Sequence, residues 1–91
     1  MSPSIIGKWQ IVSSKESGTI EFLKDSTVKI DFGALYYSGH YSFISDNRLK
    51  IVFEGIYSFN EPRTFDFSVS NNELTLKEEN GKIEKYTRIY E

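Results

Sequence analysis

The chain has 91 residues, 38% hydrophobic and 26% charged, with a formal net charge of -2, one histidine and no cysteine. That length holds one domain, spanning the whole chain, and the balance of apolar and charged residues excludes a disordered tail. The composition also excludes a disulfide framework, a thiolate zinc site, a cysteine nucleophile and multi-histidine metal sites, and its weak acidity leaves no footprint for nucleic acid or anionic lipid.

The N-terminal Met1-Ser2-Pro3-Ser4 lacks the basic start and apolar core of a secretory signal. The expectation is cytoplasmic residence, with a secreted or periplasmic mature domain freed of its signal as the alternative. No apolar run approaches the ~18 residues of a membrane helix, so no membrane partner is expected. A single helical turn is expected before Gly7. Beyond it the hydrophobic period is 2 almost everywhere, the mark of strands with one apolar and one wet face. Strands are predicted near 7–14, 19–24, 27–32, 36–45, 48–54, 63–70, 73–79 and 82–90. Ile20 and Phe22 alternate with polar neighbours, as do Val28 and Ile30, Tyr41 and Phe43, Leu49, Ile51 and Phe53, Phe65 and Phe67, and Leu74 and Leu76.

Polar clusters separate these runs: Asp25-Ser26, Ser45-Asp46-Asn47, Ser70-Asn71-Asn72 and Glu79-Asn80-Gly81-Lys82. Asn80-Gly81 suits a hairpin turn that needs positive φ. Segment 54–62 is different. It exceeds the ~2–5 residues a hairpin connection needs, and Ile56, Tyr57 and Phe59 make it either a plug folded into the core or a functional lid. Functional loops carried on rigid scaffolds favour the second.

The hairpins repeat. Ile20-x-Phe22 is answered by Val28-x-Ile30, Tyr41-x-Phe43 by Leu49-x-Ile51, and Phe65-x-Phe67 by Leu74-x-Leu76. An all-β, antiparallel up-and-down meander of about eight strands follows, and it would leave long exposed edges unless it closed into a barrel. An open curved sheet or a two-layer sandwich is the alternative.

Gly7-Lys8-Trp9 at the start of the first strand, with Tyr86-Thr87-Arg88-Ile89 in the last, resembles the lipocalin and wider calycin pattern. The chain as a whole resembles the small lipocalin-like domains of bacteria. That resemblance implies that Arg88 lies across Trp9 and closes one end of a small barrel. The chain departs from typical lipocalins in being much shorter, without a disulfide or C-terminal helix, which puts their large ligand cavity in doubt. Independently of the resemblance, an arginine over an indole face gains ~0.5–2 kcal/mol while its donors satisfy nearby carbonyls.

Catalytic chemistry finds little support. His40 falls on the outward phase of its strand, so a nucleophile would lack an oriented base. Asp31, Glu54, Asp66 and Glu73 fall on wet faces or strand ends, and Glu78-Glu79 reads as a charge pair at the edge of a hairpin. No phosphate-binding glycine loop and no calcium loop is present. The expectation is a non-enzymatic protein with no cofactor and no metal.

What remains is binding. Phe22, Phe32, Tyr41, Phe43, Phe53, Phe65, Phe67 and Tyr86 are expected to line the interior, where each aromatic buries ~150–250 Å². The short strands favour a filled core. The competing arrangement leaves a pocket at the mouth beside Ser38 and Gly39, under Tyr57 and Phe59. Two functions follow. The first is binding of a small hydrophobic or amphipathic ligand at the barrel mouth by Tyr37, Tyr41, Phe53, Tyr57, Phe59 and Tyr86. The second is a protein-interaction module with a filled barrel, its partner another protein or a second copy of the chain.

Overall fold

A computed structural model of the protein describes residues 4–12, 18–33, 36–54 and 62–90. Its strands are β1 (Gly7–Ile11), β2 (Thr19–Phe22), β3 (Thr27–Asp31), β4 (Tyr36–Ser45), β5 (Arg48–Glu54), β6 (Arg63–Ser70), β7 (Glu73–Glu78) and β8 (Ile83–Ile89). They form a closed antiparallel barrel in chain order. No helix occurs among the described residues, and residues 4–6 carry no helical turn, contrary to the expectation for the segment before Gly7. The backbone there is drawn instead onto the barrel end, where Ile5 is buried and its carbonyl accepts a hydrogen bond from the Trp9 indole at 2.9 Å.

Closure is made by β1 against β8, with Trp9 opposite Arg88 and Ile11 opposite Tyr86. The meander therefore has no first or last edge to leave unpaired. The polar clusters turn the chain as their chemistry allows. Asn71 has φ 56° and Gly81 φ 91°, conformations that Asn and Gly tolerate best. In the β2–β3 turn, the Asp25 carboxylate accepts the Thr27 N–H at 3.0 Å. The hydrogen bonds from Thr27 hold the Asp25 carboxyl below its ordinary pKa.

The inward phase of each strand supplies the core. Trp9, Phe22, Val28, Leu49, Ile51 and Leu74 are fully enclosed, and burying each aliphatic among them stabilises the fold by about 1.5–3 kcal/mol. Tyr41 packs edge-on against Phe22, with ring centroids 5.1 Å apart, and donates its hydroxyl to the Leu23 carbonyl at 2.6 Å. Burial first, and the charge of Asp25 second, raise the pKa of this phenol.

Phe43 departs from its expected place in the interior. It shares the phase of Tyr41 yet is 55% exposed. The pairing of β3 with β4 ends at Thr27 and His40, so the far end of β4 pairs with β5 alone and bulges between Phe43 and Ser45. Phe43 points inward where too little wall remains to cover it, and it touches only the rings of Tyr41 and Phe67 among the aromatics described.

Candidate functional site

The two ends of the barrel differ. At the end where β1 starts and β8 finishes, Gly7 has φ +134°, and a Cβ built there would sit 2.6 Å from a guanidinium nitrogen of Arg88. Glycine at this position thus serves the backbone and clears room for the arginine. The Arg88 guanidinium carbon lies 4.2 Å from the Trp9 ring centroid. Its nitrogens donate to the carbonyls of Ile6 at 2.9 Å and Ser4 at 2.7 Å. One side chain therefore caps the indole and satisfies the irregular N-terminal backbone. Arg88 thus covers the Trp9 side of this end.

The opposite end, which carries the β1–β2, β3–β4, β5–β6 and β7–β8 connections, opens into a cavity of about 280 Å³. The expectation of a filled core is therefore corrected at this end, which is hollow. Ile20, Ile30, Phe32, Ile51, Phe65 and Leu76 form the apolar wall, joined by Tyr37 and Phe53 with ring centroids 6.4 Å apart. Of the residues expected at a ligand site, Tyr37, Phe53 and Tyr86 come together here. Tyr41 does not line the cavity, because its ring lies against Phe22. Tyr57 and Phe59 fall outside the described residues, as does the rest of segment 54–62, expected as a plug or a lid, apart from Glu54 and Pro62. Ser38 and Gly39 do not contribute lining either.

The polar edge of the cavity was not anticipated. Glu78, Glu84, Arg63 and Tyr86 line it together. The Tyr86 hydroxyl donates to Glu84 Oε2 at 2.7 Å, and Arg63 Nη1 lies 3.5 Å from Glu78 Oε1. Lys82 Nζ approaches Glu84 Oε1 at 3.4 Å. Burial, then the hydrogen bond to Glu84 and the charges of Glu84 and Glu78, push the Tyr86 pKa far above the usual phenol value, so the hydroxyl keeps its proton. Glu78 is not simply a hairpin-edge charge. It continues the inward phase of Leu74 and Leu76, as Glu84 precedes Tyr86 in the inward phase of β8. Extending the alternation past the last apolar residue of each strand would have located both.

Asp31, Glu54, Asp66 and Glu73 are exposed, as their phases indicate. His40 is also exposed, and its Nδ1 lies 2.8 Å from Glu54 Oε1, with side-chain exposures of 59% and 62%. A polar contact in that much solvent contributes little. His40→Ala is expected to change stability by no more than ~0.5 kcal/mol in a urea titration, and a loss above ~1 kcal/mol would contradict this placement of the pair on the wet face.

A closed eight-stranded antiparallel meander, one end capped by an arginine over a tryptophan and the other hollow, defines a lipocalin-type barrel. The family model described as a lipocalin-like domain matches residues 5–91. The chain belongs to the lipocalin-like domain family, whose barrel is typical of proteins that bind small ligands. No curated protein matches the chain. No helix among the described residues is long and apolar enough to cross a membrane.

Proposed function

We propose that this protein is a non-enzymatic binder of a small hydrophobic or amphipathic molecule, held in the open half of the barrel with the ligand's polar end at the mouth. The cavity carries this reading. It combines an apolar wall from six strands with a few polar groups gathered at one edge, the usual make-up of a small-molecule site. Its volume of about 280 Å³ lies at the lower limit of such sites, which suits a ligand of about nine heavy atoms at the ~30 Å³ that one water takes in the liquid. The competing reading is a protein-interaction module that uses an exposed face or segment 54–62; the hollow lined by Ile20, Phe53 and Leu76 favours the ligand reading over it.

The test is a titration with 1-octanol followed by amide chemical shifts. Saturable shifts confined to Ile20, Ile30, Phe53, Leu76 and Tyr86 are expected. Ile30→Phe, which places a larger ring in the hollow, is expected to weaken octanol binding by about tenfold while costing no more than ~1–3 kcal/mol of stability through overpacking. Unsaturable shifts spread over the outer surface would overturn the proposal.

A further inference from the structure

We propose that the cavity selects a ligand whose polar end is a protonated amine. This rests on the reading of the cavity as a small-molecule site and adds the chemistry of the head group. The polar edge is dominated by acceptors. Glu78 and Glu84 supply four carboxylate oxygens between them, and Tyr86 spends its only hydroxyl proton on Glu84. Arg63 is the single cationic side chain among the described lining residues, and it lies within ion-pair distance of Glu78. Two carboxylates against one guanidinium leave the described lining residues one charge negative. Lys82 reaches Glu84 from outside with its side chain 64% exposed, where solvent screens the pair.

The placement strengthens the preference. The Glu78 and Glu84 side chains are only 23% and 28% exposed, against apolar walls that focus the field of the carboxylates into the cavity. Glu84 accepts one hydrogen bond from Tyr86 on Oε2 and meets Lys82 through Oε1, so both carboxylates retain lone pairs for a ligand donor. An ammonium group entering there makes charge-assisted hydrogen bonds that an alcohol cannot match. A carboxylate head meets the opposite situation, because it must approach two glutamates and compete with Glu78 for Arg63. The raised Tyr86 pKa agrees with a negative potential at this edge, since both glutamates contribute to it.

Three probes that share one alkyl chain test the head group: n-octylamine, 1-octanol and sodium octanoate, titrated calorimetrically at pH 7. The amine is expected to bind at least about tenfold more tightly than the alcohol, and octanoate more weakly than either. Glu84→Gln is expected to bring the amine-to-alcohol ratio to within about threefold, and Glu78→Gln to do the same. Either variant suffices should the other fail to fold. Lys77→Gln, on the outer face, is expected to keep the ratio of the unaltered protein. Alcohol binding as tight as amine binding would overturn the amine preference and leave the cavity reading intact. Binding of none of the three would overturn both.

Discussion

Trp9→Ala is expected to destabilise the barrel by about 3–5 kcal/mol, the largest effect of any single substitution considered. Trp9 is wholly inaccessible to solvent, and its indole N–H is satisfied by the Ile5 carbonyl. Truncation removes the largest enclosed side chain at the packed end and leaves a hole that short, paired strands cannot close. It also strips the aromatic face from beneath Arg88. Arg88→Ala alone is expected to cost about 1–3 kcal/mol, because the Ile6 and Ser4 carbonyls lose a charged donor and the indole loses its cover. The two losses overlap, so the double variant is expected to cost at least ~0.5 kcal/mol less than their sum. Urea unfolding of the four proteins measures this. Strict additivity would mean that the guanidinium and the indole do not support each other.

Gly39→Ala is the second substitution with a large expected effect, about 3 kcal/mol, although it adds a single methyl group. A Cβ at Gly39 would lie 2.2 Å from the Val52 carbonyl oxygen and 2.9 Å from the Phe53 Cα. Both are backbone atoms of the partner strand and cannot swing aside as a side chain could. Relief requires β4 and β5 to separate where Gly39 pairs with Phe53, which is also where Phe53 enters the cavity wall. Ser38→Ala, one residue away on the other face, is expected to stay within ~0.5 kcal/mol. If Gly39→Ala and Ser38→Ala have equal denaturant midpoints, the close approach of the two strands is not a constraint on the fold.

Arg88 and Glu78 mark the range of what could be read from the residues. Both are charged side chains on the inward phase of a strand. The Gly-x-Trp resemblance places Arg88 across Trp9, whereas Glu78 beside Glu79 reads as a charge at the edge of a hairpin. Phe43 shows the converse: its phase is inward, yet it is largely exposed beside the β4 bulge.

By itself the sequence determined the strands, their order, the turns and the face each side chain occupies, because alternation with period 2 is a local property of extended chain. It also contained the terminal residues that meet when β1 pairs with β8. Only the tertiary structure decided depth along the barrel axis. Strand stagger on closure places Trp9, Phe22 and Leu49 in the buried core and leaves Phe53, Glu78, Glu84 and Tyr86 around a hollow. The size of that hollow depends on side chains from seven strands meeting across the interior, a sum that no single strand's pattern contains.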